Sequence, residues 1–183
     1  MKASTSLAVL TSLAAATFLA ACGSTTGMGM GMRSAGPKAV ATLEPTKGNT
    51  AAGTVTFEQK GDKVLVTAKV TGLAPNSEHG FHAHEKGDCS SGDGMSTAGH
   101  FNPDGKPHGP QNTEHHAGDM PGLKADASGT AQVTFELTGV SIGSGATDLV
   151  GRGLIVHAAP DDYKTQPTGN SGARIACGVI KLG

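Results

Sequence analysis

The stretch "GFHAHEKGDC", residues 80–89, carries His82 and His84 two positions apart on a short apolar run. In an extended strand, residues i and i+2 point to the same face, so these two imidazoles can aim at one point. The other histidines are His79, His100, His108, His115, His116 and His157. His100 and His108 lie in "GHFNPDGKPHGP", His115 and His116 lie in "HHAGD" beside Asp119, and His157 ends the apolar run "LIVH". Neutral imidazole is a good ligand for copper and zinc. Three histidines and one carboxylate make a closed tetrahedral zinc set. Four histidines suit the tetragonal field that Cu(II) prefers. The residues are enough for both sites only if one imidazole is shared or nearly all are used, and spacing alone leaves that open.

Strands and long loops must position these side chains. The chain holds 28 Gly, five Phe, one Tyr and no Trp, too much glycine for a helix bundle, and it lacks long helical periodicity. "AGTVTFEQKGDKVLVTAKV", residues 52–70, alternates apolar and polar on both sides of "KGDK" and predicts a hairpin. "KAVATLEP", "HGFHAHE", "GTAQVTFELTGV" (129–140), "GRGLIVHAA" (151–159) and "ARIACGVIKL" (173–182) supply the other expected strands. Many short antiparallel strands with turn chemistry between them imply a sandwich or barrel. Residues 86–122 show no strand pattern, and 160–172 form a second irregular stretch. Loops that long inside a compact domain are usually functional.

The N-terminus reads as an export signal. Lys2 precedes the apolar run "LAVLTSLAAATFLA", which is short for a spanning helix. The run ends in "LAAC", and the signal as a whole resembles that of bacterial lipoproteins, with residues 1–21 removed and Cys22 lipidated. Gly23 does not look like an inner-membrane retention signal, so the expected location is the cell envelope or periplasm, anchored in the outer membrane. Residues 22–37 then form a Gly- and Met-rich tether, with the folded domain at 38–183. The thioethers of Met28, Met30 and Met32 would suit Cu(I), but a plain linker is the preferred reading. Lys and Arg number 14 and Asp and Glu 15 for a net charge of −1, which becomes −2 once Lys2 leaves. No basic block suggests nucleic acid. In an exported chain the two further cysteines, Cys89 and Cys177, point to one disulfide. The chain-entropy estimate for closing so long a loop is about 4–5 kcal/mol.

The pieces "GFHAHEKGDC", "GHFNPDGKPHG", "HAGD", "GRGLIVHA" and "GARIACGVI", in this order, resemble the exported bacterial copper/zinc superoxide dismutases across nearly all of 38–183. The resemblance implies an all-β fold: a Greek-key, immunoglobulin-like β-sandwich or flattened barrel of about eight antiparallel strands with two long functional loops. It implies one copper and one zinc per chain. His82, His84 and His157 would bind copper, His100 would bridge both metals as an imidazolate, and His108, His116 and Asp119 would complete the zinc site. Cys89 and Cys177 match the family's disulfide. Arg174 matches the arginine beside the copper, where a permanently charged guanidinium can attract and orient a small anion. Asp161 matches the carboxylate that links ligands of the two metals from behind, and His79 matches a non-ligand histidine near the copper strand. His115 has no role in this mapping. Lys164 could add to the steering field, although its loop is shorter than in eukaryotic relatives.

The implied activity is dismutation of superoxide to oxygen and hydrogen peroxide, protecting the envelope. The implied partners are superoxide and a membrane reached through the lipid anchor, and monomer and homodimer both stay open. The alternative is an exported copper/zinc-binding or copper-buffering module without dismutase activity. A complete ligand set together with Arg174 argues against that alternative. A purely structural zinc domain would leave His82, His84 and His157 converging for no reason.

Overall fold

Strand faces in this chain are set by two-residue alternation. In β2 (Ala52–Lys60), Val55 and Phe57 are fully buried while Thr54, Thr56 and Glu58 point away from the core. In β3 (Lys63–Thr71), Val64, Val66, Ala68 and Val70 do the same, and their register places Phe57 opposite Val66. Full burial of a Phe such as Phe57 stabilises by about 1.5–3 kcal/mol. The β2–β3 connection is Gly61-Asp62, and the positive φ of 66° at Gly61 suits a residue without a Cβ. The hairpin expected around "KGDK" is therefore present.

The computed structural model describes residues 36–183. The expected signal segment 1–21, Cys22 and Met28, Met30 and Met32 lie outside the described residues. The remaining elements are β1 (Lys38–Pro45), β4 (Glu78–His79), β5 (Phe81–His84), a 3-10 turn (Met95–Thr97), β6 (Leu123–Lys124), β7 (Ala131–Thr138), β8 (Gly153–His157), β9 (Arg174–Val179) and β10 (Lys181–Leu182). Among the described residues there is no α-helix. One curled, all-antiparallel sheet runs β5-β8-β9-β1-β2-β3-β7, and β10 continues β9 along β1. Strands distant in sequence are neighbours, as a Greek key requires, so the all-β fold expected from the resemblance is the one observed. The core between its walls holds Leu43, Phe57, Phe81, Leu123, Leu137, Leu154 and Ile180.

The sequence pattern did not reveal the ribbon of β4 and β6, which pairs Glu78 with Lys124 and His79 with Leu123. Two residues per strand are too few to show a period of two.

Strands β5 and β8 differ from the rest in being buried on both faces. Phe81, Ala83, Leu154 and Val156 face the apolar core, whereas His82, His84 and His157 do not belong to it. Their face is covered by the segments 85–122 and 158–173. The disulfide between Cys89 and Cys177, with Cα atoms 5.9 Å apart, ties the first of these segments to β9.

Candidate functional site

The free edge of β5 organises the site. One edge of β5 pairs with β8. On the other, Ala83 N donates to Gly118 O at 2.8 Å and Ala83 O accepts from Phe101 N at 2.9 Å. These contacts bring His84 opposite His100 and His82 opposite Asp119. Gly118 permits the approach, because a Cβ there would stand 2.2 Å from Ala83 O. His157 ends β8 two residues after Ile155, which stands opposite His82, so His157 lies on the same face.

Two buried four-residue clusters result, beside a smaller group of His82, His108 and Asp161. The first holds one nitrogen each from His82, His84, His100 and His157, and the second holds one ligand atom each from His100, His108, His116 and Asp119. Within each, the candidate ligand atoms lie within 4.8 Å of one another.

In the first cluster every imidazole is fixed by one nitrogen and idle at the other. His82 Nε2 meets Asp161 Oδ2 at 2.6 Å. His84 Nδ1 donates to Ala98 O at 2.9 Å and His157 Nδ1 to Gly172 O at 3.1 Å. The remaining atoms, His82 Nδ1, His84 Nε2, His100 Nε2 and His157 Nε2, are buried without a hydrogen-bond partner. A buried polar atom left unpaired costs about 1–3 kcal/mol, so a group of them facing one another calls for an ion. Burial holds the rings of His84, His100 and His157 neutral. It takes His84 down to about 2, with His100 and Arg174 adding to the effect, and His157 down to about 3, with His82 adding to it.

In the second cluster Asp119 Oδ1 is the common neighbour. It lies 2.9 Å from His100 Nδ1, 3.0 Å from His108 Nδ1 and 3.3 Å from His116 Nδ1, and the last is 3.4 Å from His100 Nδ1. A tetrahedron around zinc with bonds of about 2.0–2.1 Å has edges of about 3.3 Å. His108 Nδ1 makes no hydrogen bond despite its 3.0 Å separation from the carboxylate. Two atoms held this close without a hydrogen bond are spaced as two ligands of one ion. The other oxygen, Oδ2, is occupied by the backbone N–H groups of His116 at 2.9 Å and Gly109 at 3.2 Å. Burial alone would raise the pKa of Asp119, but the close imidazoles of His100, His108 and His116 hold it far below the carboxylate range. Burial opposes charge on His108, yet Asp119 and Asp161 together push it up to about 9. Burial takes His100 down to about 4 against the pull of Asp119. His100 is the one residue common to both clusters, with Nδ1 in the second and Nε2 facing the first.

The chain matches the family described as copper/zinc superoxide dismutase (SODC) over residues 51–180. The chain belongs to the copper/zinc superoxide dismutase family. A copper/zinc superoxide dismutase 2 of Brassica juncea is 45% identical over 154 residues, covering 79% of this chain and 97% of that protein. A copper/zinc superoxide dismutase 2 of Aquifex aeolicus (strain VF5) is 42% identical over 149 residues, covering 79% of this chain and 86% of that protein. Among solved structures, that of the clock protein EA4 is 40% identical with a TM-score of 0.72, covering 79% of this chain and 94% of that one. The one copper and one zinc per chain of the dismutase family correspond in number to the two clusters, and the idle nitrogens fit such ions.

The other residues that the resemblance singles out lie around the clusters. Arg174, at the start of β9, donates from Nη1 to Gly94 O (2.6 Å) and Thr97 Oγ1 (2.8 Å) and from Nη2 to Ala98 O (2.7 Å). Ala98 O is also the acceptor for His84 Nδ1, so one carbonyl holds the arginine and a cluster histidine together. Ala98 adopts φ +64°, a strained value for a residue with a Cβ. Burial lowers the Arg174 pKa and Asp93 opposes that shift, but a guanidinium stays charged at any ordinary pH. Asp161 bridges the clusters from behind, with Oδ2 on His82 Nε2 and Oδ1 on His108 Nε2 at 2.9 Å. Burial would raise its pKa, and the bonds from His108 and His82 lower it instead. His79 is buried outside both clusters, with Nδ1 donating to His157 O at 2.7 Å. His115 is partly buried and hydrogen-bonds only locally, to Thr113 O.

The sequence pattern did not single out Thr97, Gln111, Tyr163, Gln166 or Gly169. Gln111 Nε2 donates to Asp119 O at 2.6 Å. Tyr163 stacks parallel to His108 with ring centres 6.4 Å apart and accepts from Gly122 N through its hydroxyl. A Cβ at Gly169 would stand 1.9 Å from Asp161 Oδ1. None of these residues belongs to a type or spacing that signals a metal site, so only the fold exposes them.

Proposed function

We propose that this protein is an exported, lipid-anchored dismutase in which His82, His84, His100 and His157 hold copper. Zinc is held by His100, His108, His116 and Asp119. The reaction converts two superoxide ions and two protons to oxygen and hydrogen peroxide. The observation that carries this assignment is His100, a single buried imidazole with a nitrogen in each cluster. Copper supplies one-electron redox chemistry when bound, and zinc supplies none.

The chain's own residues do the rest. Arg174 presents a fixed positive charge to a small anion on a protein whose net charge is −1; local field and not net charge governs such steering. Its three hydrogen bonds to the 94–98 segment hold the guanidinium in one orientation. His100 Nε2 is a buried nitrogen without a protein partner, so it can carry a proton to the departing peroxide. Asp119 and the zinc cluster hold the other side of that ring in place. Asp161 keeps the His82 and His108 rings in register with each other.

The export reading rests on the signal-like segment 1–21 and on Cys22. Superoxide is charged and crosses an apolar layer poorly, so an envelope-bound copy would act on superoxide arising outside the cytosol. Several acyl chains on Cys22 would suffice for stable anchoring, because affinity grows with each buried CH₂.

The test measures metal content and dismutation on one purified sample, with His157→Ala beside the wild type. Expected are one copper and one zinc per wild-type chain with rapid dismutation, and a variant that keeps zinc but loses copper and activity. A fully metallated, inactive wild type would replace the dismutase reading with copper storage.

A further inference from the structure

His108 is held mainly from outside its own loop. Its backbone N–H donates to Gln166 Oε1 at 2.8 Å, and its carbonyl accepts from Gln166 Nε2 at 2.8 Å. Gln166 lies 58 positions away in the 158–173 segment. One side-chain amide thus completes both backbone hydrogen bonds of a buried histidine, as a neighbouring strand would. The same segment holds the ring, through Asp161 Oδ1 on Nε2 and Tyr163 stacked on its face. Gln166 itself is an exposed residue outside the apolar core. Its one other hydrogen bond is a long contact to Lys164 O. It is placed to orient the histidine, and it packs nothing.

We infer that Gln166 is a positioning residue that presents His108 Nδ1 to the zinc cluster, so that the 158–173 segment governs how firmly zinc is held. This inference rests on the reading of the second cluster as a zinc site. An amide is the side chain that can do this, because it donates from one atom and accepts at the other in the same plane. A carboxylate would keep the acceptor for His108 N–H but set a second oxygen against the His108 carbonyl. Partners behind a metal ligand are worth about 10- to 100-fold in metal affinity.

The experiment uses the full metallated protein and a chromophoric chelator that reports zinc release. Gln166→Ala and Gln166→Glu are compared with Thr165→Ala, which removes the neighbouring Thr165 hydroxyl bond to Asp162 at 2.6 Å and leaves His108 alone. Zinc release should quicken by about 10- to 100-fold in both Gln166 variants and stay near wild type in Thr165→Ala. With Co(II) in place of zinc, the visible ligand-field bands should shift in the Gln166 variants only, a signature of changed ligand geometry that simple loop loosening does not give. Retained copper shows that a variant is folded, and Gln166→Met, of similar length, carries the measurement if Gln166→Ala does not fold. Release within about twofold of wild type, or equal acceleration in Thr165→Ala, overturns the inference. A wild type that never holds stoichiometric zinc overturns the zinc reading instead, so the two failures are distinct.

Discussion

Gly169→Ala tests whether the empty space at one backbone position sustains the link between the two clusters. Gly169 has φ +67°, and an added Cβ would stand 1.9 Å from Asp161 Oδ1 and 2.6 Å from His108 Nε2. Gly61→Ala is the control, because its φ is +66° and nothing lies within 4 Å of the added atom. Both substitutions incur the left-handed backbone strain of about 1–2 kcal/mol. Only Gly169→Ala must also push Asp161 Oδ1 away from His108 Nε2 at 2.9 Å and Tyr163 N at 2.7 Å. A hydrogen bond to a charged group contributes about 1.5–3 kcal/mol and an ordinary one about 1 kcal/mol, so the excess is about 2–4 kcal/mol. At about 2–4 °C per kcal/mol for a domain of this size, Gly169→Ala should melt roughly 10 °C below Gly61→Ala. Thermal unfolding of the metallated proteins, with zinc retention against a chelator in parallel, reads both effects. Equal melting temperatures and wild-type zinc retention in the two variants would refute the claim that Gly169 leaves room for the Asp161 bridge.

Arg174→Lys should leave both metals bound and lower the dismutation rate by about tenfold or more, because one ammonium cannot reproduce the fork over Gly94, Thr97 and Ala98. Stopped-flow dismutation at unchanged metal content measures this, and a wild-type rate would remove Arg174 from the substrate path. Replacing Cys89 and Cys177 together by Ser should destabilise the fold by about 4–5 kcal/mol on the chain-entropy estimate for a separation of 88 residues. Denaturant unfolding reads that loss, and an unchanged midpoint would contradict it. Stripping both metals should lower the melting temperature, and adding zinc alone should restore part of it, since metal binding is coupled to folding. Calorimetry in which the metal-free and metallated proteins melt together would overturn that coupling.

Much of the fold was legible because its strands carry the period of two without interruption. The alternation in 52–70 predicts β2, β3 and the turn between them, and the spacing of His82 and His84 places both on one face of β5. The short ribbon of β4 and β6 left no such trace. The division of the histidines into two clusters was not legible from spacing, because it depends on how 86–122 folds back on the edge of β5. There Ala83 pairs with Phe101 and Gly118, contacts in which the side chains carry no code. The resemblance to a family supplied the division that periodicity could not. Gln166, Gly169 and the carbonyl of Ala98 act through backbone groups or through absent atoms, and such roles have no residue signature.

The alternation of β5 also leads to a false expectation if read alone. A strand with apolar residues on one face and histidines on the other reads as half-solvated, with its polar side in water. Here both faces are buried, and the second face is a polar core closed by two loops. Five ring nitrogens lie in it without partners, a cost of about 1–3 kcal/mol each that is comparable in sum to the whole stability of a typical domain. The loops that close this face contain few large apolar residues, so little apolar burial is available there to offset that cost. What offsets it is the bound ions, together with the bridges of Asp119 and Asp161 and the disulfide at Cys89. The same feature that makes the site reactive, buried lone pairs with nothing in the protein to meet them, therefore makes the loops depend on the metals they enclose.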